Sequence, residues 1–255
     1  MKKTIKAKIV SNKKVSSEYW KMRLLAPALA AAAVPGQFIS IKTSRENVPL
    51  LRRPMSLHKI KPPFIEILYK VRGTGTGLLS KYKAGELLNI LGTLGKGFKT
   101  SGNFKTAILV GGGYGISPLL ALHDLLKKQN KKIITLIGAR SSGLVYKKGF
   151  SGVKTATEDG SAGIKGLVTK ALEKTCCGLS DEAVVFACGP DKMLKAVAET
   201  AEAHGIACQV SLENLMACGV GVCLSCVCSV KRGVKNEYKR VCVDGPVFDA
   251  KEIAW

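Results

Sequence analysis

Four cysteines near the carboxyl end have the spacing of a metal site. Four residues separate Cys218 from Cys223, two separate Cys223 from Cys226, and fifteen more lead to Cys242. C-x4-C-x2-C with a distant fourth cysteine is the plant-type [2Fe–2S] spacing. Gly219 and Gly221 would let the loop approach inorganic sulfide closely and turn backbone N–H groups toward an anionic cluster. Val227–Val230 and Tyr238–Val241 predict a hairpin around Gly233 that returns Cys242 to the other three. Cys228 would share a strand face with Cys226 and so competes with it, but the two-residue spacing favours Cys226. Four thiolates also suit tetrahedral zinc, although only one C-x2-C knuckle is present where zinc sites usually show two. Ordinary buried thiols are the third reading, and Cys176, Cys177 and Cys208 read that way.

Three further segments could handle a dinucleotide. In Leu50-Leu51-Arg52-Arg53-Pro54-Met55-Ser56, an arginine fixed beside a proline can clamp a pyrophosphate with its planar fork. Ser56 can offer a hydroxyl to a flavin edge, although arginine beside proline is also common in plain surface loops. Gly111-Gly112-Gly113-Tyr114-Gly115 departs from a strict G-x-G-x-x-G fingerprint. It still lies between a strand-like and a helix-like run, where backbone N–H groups receive phosphates; a tight turn without ligand is the alternative. Cys188-Gly189-Pro190 closes a later strand at its carboxyl end, the edge where open parallel sheets collect ligands. Glu158-Asp159-Gly160 ends another strand at the same edge, and Arg140, Ser141 and Ser142 could reach an adenosine end. His58, His123 and His204 fall in different segments and read as helix-surface or loop residues. No acid, base or nucleophile is assigned.

The elements that must hold these residues change along the chain. Ile5–Val10, Gln37–Lys42, Phe64–Val71 and Leu87–Leu91 are short strands with Pro-Gly, Pro-Pro and Ala-Gly punctuation, and Gly77–Lys83 is a possible short helix. They predict an antiparallel β-barrel, which leaves few exposed edges. From Lys105 onward, strands at Thr106–Val110, Lys132–Ile137 and Ala183–Ala187 alternate with helices. One begins at Ser117 and Pro118, and another at Asp191–His204 is ended by Gly205. That alternation predicts an α/β parallel sheet. The fold class is therefore multidomain: a barrel over 1–101, an α/β domain over 102–211, and a small cysteine domain over 212–255 that is too short to hold a core alone.

The chain has 255 residues and a formal charge of +22, unevenly spread: residues 1–101 hold 20 Lys/Arg against 4 Asp/Glu. The lysines are dispersed through strands without an aromatic-interleaved basic run, so anionic cofactors and an acidic partner account for them better than nucleic acid. The longest apolar run, Leu24–Val34, contains Pro27 and falls short of the roughly 20 residues of a membrane span. Met1–Val10 alternates lysine with apolar residues, unlike a secretory leader. Nine cysteines, an odd number, argue against a disulfide framework. A cytoplasmic, membrane-free protein is expected.

Arg53-Pro54-x-Ser56, the Gly111–Pro118 turn and Cys188-Gly189-Pro190 occur in the order found in the ferredoxin reductase-like flavoproteins. With Met216-x-Cys218-Gly219-x-Gly221-x-Cys223-x-x-Cys226 and Cys242-x-Asp244-Gly245-Pro246-Val247-Phe248, the whole chain resembles the electron-transfer subunits of the NAD-dependent dihydroorotate dehydrogenases. The resemblance implies FAD on Arg53, Pro54, Met55 and Ser56, then on Leu68, Tyr69 and Lys70, with Gly75 and Thr76 receiving its phosphates. Without it, Tyr69 reads as a barrel core aromatic and Lys70 as a solvated strand residue. It implies NAD, in preference to NADP, on Gly111, Gly112, Gly113, Gly115, Cys188, Gly189 and Pro190, and a [2Fe–2S] cluster on Cys218, Cys223, Cys226 and Cys242 near a subunit interface. The partner it implies is an FMN-containing catalytic subunit in a two-plus-two heterotetramer serving pyrimidine synthesis. Two alternatives remain at this stage: an NAD(P)H–ferredoxin oxidoreductase or sulfhydrogenase-type diaphorase subunit, and a zinc-binding nucleic-acid adaptor.

Overall fold

The computed structural model describes residues 4–46, 48–179, 182–233 and 235–255. Met1–Lys3 of the lysine-rich amino end lie outside them. In β1 (Thr4–Lys14), Lys6 and Lys8 face outward while Ala7 and Ile9 are buried, so the basic charge sits on one face of an amphipathic strand. The strand β2 (Tyr19–Leu25) buries Met22 and Leu24 in the same alternating way. The apolar run that follows becomes α1 (Pro27–Ala32), with Pro27 in the first turn, where its missing N–H costs nothing. The segment continues through β3 (Phe38–Lys42), β4 (Arg53–Ser56), β5 (Lys59–Lys61), β6 (Phe64–Lys70), α2 (Thr74–Lys81) and β7 (Leu87–Leu94). The seven strands are antiparallel in the order β4-β3-β7-β1-β2-β6-β5. Irregularities at Ile9/Ser11 and Phe38/Ser40 bend the sheet, and β4 returns beside β6 to curl it into a barrel. Helix α2 begins at Thr74, three residues before the expected start.

The second sheet contains β8 (Thr106–Gly112), β9 (Lys132–Ala139), β10 (Val153–Thr157), β11 (Ile164–Lys165), β12 (Ala183–Cys188) and β13 (Ala207–Ser211), with α3 (Leu119–Lys128), α4 (Val168–Cys176) and α5 (Asp191–Ala203) between strands. These six strands are parallel in the order β11-β10-β9-β8-β12-β13. All seven residues of β8 are buried, as expected of a central strand covered on both faces. The order reverses between β8 and β12, which makes that point the topological switch. Ser117 is not the cap of α3. A single 3₁₀ turn, Gly113–Ile116, swings it inward, where its hydroxyl donates to the Leu68 carbonyl at 3.3 Å, and Pro118 takes the cap position.

The last segment forms a hairpin of β14 (Val227–Arg232) and β15 (Lys235–Arg240), then β16 (Val247–Asp249). Among the described residues it has no separate core. Cys226, Val230, Val241, Cys242 and Phe248 pack in one apolar cluster with Val185, Leu194 and Val210 of the second sheet, and β16 pairs antiparallel with β13. Among the described residues, no helix is long and apolar enough to cross a membrane.

Candidate functional site

A cleft of about 1230 Å³ opens between the barrel and the carboxyl ends of β8, β9 and β12. That exceeds the roughly 300–1,000 Å³ of an ordinary single-ligand site. Its walls carry Arg53, Lys70, Arg72, Arg140 and Lys192 against Glu158 and Glu213, a cationic balance that suits pyrophosphates.

On the barrel side, Arg53, Pro54, Met55, Tyr69, Lys70, Gly75 and Thr76 line the cleft. The Arg53 guanidinium lies across the amino end of α2 and donates to the Leu51 carbonyl. A Cβ on Gly75 would come within 2.5 Å of Arg53 Nε, so glycine there makes room for the arginine fork. A guanidinium stacked on a helix amino end is a fit cradle for a diphosphate. The Thr76 hydroxyl accepts the Arg72 and Gly73 amides at 2.9 and 3.3 Å, so it serves as a local cap and its backbone N–H is what it can offer a phosphate. Tyr69 sits in the barrel core, where its hydroxyl donates to Asn12 Oδ1 at 2.8 Å and its ring packs on Trp20, and it also lines the cleft. The Lys70 ammonium pairs with Glu18.

On the sheet side, Gly112, Gly113, Gly115, Gly189 and Pro190 line the cleft at the switch point. A Cβ on Gly115 would collide with the Cys188 carbonyl oxygen, whereas one on Gly113, at φ +52°, would meet open space. Gly115 therefore closes two strand ends together, and Gly113 leaves room for a ligand. Four of the expected residues do not reach the wall: Ser56, Leu68, Gly111 and Cys188. Leu68 and Cys188 are core side chains, and Gly111 packs against Ile116. Burial pushes the Cys188 thiol well above its ordinary range, with Glu213 adding to the shift. Arg140 and Glu158 line the cleft; Ser141, Ser142 and Asp159 do not.

Glu213 and Tyr19 are wall residues the sequence reading missed. Glu213 is open to solvent through the cleft but crowded by protein elsewhere. Crowding raises its pKa, Arg72 opposes the rise and Asp191 adds to it. A lone acid just before the cysteine run was the only available signal. His58 and His123 are also not surface residues: both are buried, on Ser117 O and Ser151 Oγ respectively.

The four cysteines come together as two pairs. Cys218 contacts Cys223 and Cys226 contacts Cys242, with Cys218 and Cys242 near enough to feel each other's charge. Among the described residues, no three His, Cys, Asp or Glu side chains converge on one mononuclear ion. Two neighbouring thiol pairs are a donor set that two bridged irons could share. Burial opposes ionisation of Cys218. The amides of Val220, Cys223 and Val222 and the Cys223 side chain outweigh it and bring the thiol down to about 6, and Val220 N–H lies 3.4 Å from its sulfur. Cys242 N–H lies 3.4 Å from Cys226 Sγ. Inward-turned amides are what an anionic cluster needs. Cys228 lies on β14 opposite Lys239 and near enough to Cys226 to feel its charge.

A barrel and a doubly wound sheet sharing a dinucleotide cleft, with a cysteine module packed on the sheet, define a ferredoxin reductase-like oxidoreductase component. Residues 213–254 match a family model described as the iron–sulfur cluster binding domain of dihydroorotate dehydrogenase B. The "Dihydroorotate dehydrogenase B (NAD(+)), electron transfer subunit" of Caldanaerobacter subterraneus subsp. tengcongensis is 41% identical over 254 residues, 99% of each chain. Its counterpart from Geobacillus thermodenitrificans is 38% identical over 253 residues, 96% of each. The chain belongs to this family of electron transfer subunits. Among solved structures, an NADH-dependent reduced ferredoxin-NADP oxidoreductase aligns with a TM-score of 0.85 at 31% identity, covering 98% of this chain and 90% of that one. A ferredoxin NADP+ reductase from Neisseria gonorrhoeae with bound FAD and NADP shares the fold: TM-score 0.67, 16% identity, 80% and 92% covered.

Proposed function

We propose that this chain transfers electrons from a dihydroorotate-oxidising, FMN-containing catalytic subunit to NAD+, in a cytoplasmic two-plus-two heterotetramer that serves pyrimidine synthesis without membrane or nucleic acid. The observation that carries this reading is the pairing of Cys218 with Cys223 and Cys226 with Cys242 beside a cleft large enough for two dinucleotides. When bound, a [2Fe–2S] cluster supplies one-electron exchange and FAD supplies hydride transfer, chemistry that side chains do not perform.

The protein's part is to bind and orient. Arg53, the amino end of α2 and the backbone of Gly75 and Thr76 would take the FAD diphosphate, with Met55 and Tyr69 against its apolar parts. Gly112, Gly113, Gly115, Gly189 and Pro190 would take NAD at the switch point. The division at 1–101, 102–211 and 212–255 assigns one cofactor to each part, with β16 tying the third part to the second. Leu215, Val222 and Leu224 beside the cysteines are 83%, 79% and 60% exposed, which favours a docking partner over that loop.

Cys223→Ser in the reconstituted complex tests the reading. Dihydroorotate-linked NAD+ reduction should disappear while FAD stays bound; full coupled activity in that variant would refute it. The likeness to the ferredoxin-NADP oxidoreductase supports a second reading, in which reduced ferredoxin replaces dihydroorotate and its partner as electron donor. Parallel assays with the two donors separate them.

A further inference from the structure

A second recess, of about 300 Å³, shares no wall residue with the dinucleotide cleft. Its walls come from β2, β5 and β6 of the barrel and from α3 and the loop before β10 of the sheet domain. Lys21, Arg23, Lys59, Lys61 and Lys148 line it against a single carboxylate, Glu66. Glu66 lies 3.4 Å from Lys21 and 3.9 Å from Arg23, and Asp124, outside the recess, takes Lys59 at 3.4 Å. Among the described residues, Lys61 and Lys148 have no carboxylate within ion-pair distance, and Arg23 Nε is buried with no hydrogen-bond partner. Two carboxylates, and the Phe64 ring 4.0 Å from the Arg23 guanidinium, leave the five cations around the recess undercompensated, and an anion of the right shape would relieve their repulsion.

The floor of the recess adds a specific demand. His58 is buried, and its Nδ1 lies 2.8 Å from the Ser117 carbonyl. A carbonyl only accepts, so Nδ1 carries the proton and the neutral ring presents the Nε2 lone pair to the recess. Burial, opposed by the Ser117 bond and Glu66 and reinforced by Lys21 and Lys59, pushes His58 down to about 4 and keeps it neutral at pH 7. The ligand must therefore bring anionic oxygens for the lysines and one O–H for the imidazole.

We propose that this recess is a binding site for a protonated phosphate group, with P–O⁻ oxygens on Lys21, Arg23, Lys61 and Lys148 and P–OH donating to His58 Nε2. The ligand is either inorganic phosphate or the phosphate end of a small metabolite. Sulfate has the same shape and no proton at neutral pH, so it would set an oxyanion against the His58 lone pair. Because both domains supply walls, a bound phosphate also ties the barrel to the sheet domain and stabilises their junction.

The test is titration calorimetry on the full chain loaded with FAD and saturated with NAD+, at pH 7, with inorganic phosphate, ribose 5-phosphate and sulfate in turn. Phosphate binding with sulfate about tenfold or more weaker is expected, and the tighter of the two phosphates identifies the source. Lys61→Ser/Lys148→Ser should weaken phosphate by about tenfold or more while leaving the flavin spectrum and NADH–ferricyanide activity unchanged. His58→Asn keeps the donor to Ser117 and removes Nε2, so the preference for phosphate over sulfate should vanish. Equal binding of sulfate and phosphate to the unaltered chain, or phosphate affinity untouched by the double lysine change, overturns the proposal.

Discussion

Three of the four thiols in the cysteine centre come from nine consecutive residues, whereas the cleft draws its walls from Tyr19 through to Glu213. The centre is also partly open: Cys223 is exposed and Cys218 half-buried, while Cys226 and Cys242 are buried. One pair is open to solvent and the other is part of the core. The cleft has the opposite character. Its floor is close-packed backbone, with Gly115 against the Cys188 carbonyl, and only a few positions such as Gly113 leave space. A local loop can present ligands before the fold is complete, but a cleft between two domains exists only once both sheets are in place.

The largest effect should separate the two thiol pairs. Cys223→Ser and Cys242→Ser should both lose iron and coupled activity. Cys242→Ser, which leaves a hydroxyl in the core, should lower unfolding free energy by about 1–3 kcal/mol more than Cys223→Ser. Equal melting temperatures would erase the distinction between outer and inner pairs.

Within the cleft, Gly115→Ala should cost about 3 kcal/mol by prising β8 from β12. Gly113→Ala should cost about 1–2 kcal/mol from its left-handed backbone, with NAD+ affinity as its main loss. Denaturant unfolding and NAD+ titration of the pair would show whether packing and ligand space divide in this way.

His58 lies at the junction of the two domains, and its folded pKa of about 4 is below the ordinary 6.5. A buried neutral imidazole favours the fold fully above pH 6.5 and progressively less as pH falls toward 4. On the order of 3 kcal/mol should be lost across that window, and His58→Asn should flatten the slope. Urea midpoints measured from pH 7 to pH 4 would check this.

Arg53→Ala should weaken FAD by about 10–100-fold, and Arg53→Lys should recover only part, because an ammonium lacks the planar fork. The smallest effect belongs to Glu213. Its raised pKa means that ionisation costs the folded state something above the ordinary carboxylate range. Glu213→Gln should therefore be neutral or slightly stabilising at pH 7 by thermal unfolding, and a clear loss would assign the carboxylate a structural bond.

Spacing along the chain singled out Cys218, Cys223, Cys226 and Cys242 as one candidate site. The intervening loop and hairpin are short, so sequence distance bounds spatial distance. Apolar alternation in β1 and the glycine-rich end of β8 likewise carried the barrel and the parallel sheet. Tertiary structure decided the rest. Leu68 and Cys188 stand within the expected motifs yet are buried in the core, and Gly111 is packed against Ile116, because motif position does not settle which residues a cleft exposes. Thr76 spends its hydroxyl on a cap, and Ser117 turns inward instead of capping α3. Glu213, and the cationic recess around His58, arise from residues far apart in sequence that meet only when the two domains pack, a meeting no local pattern encodes.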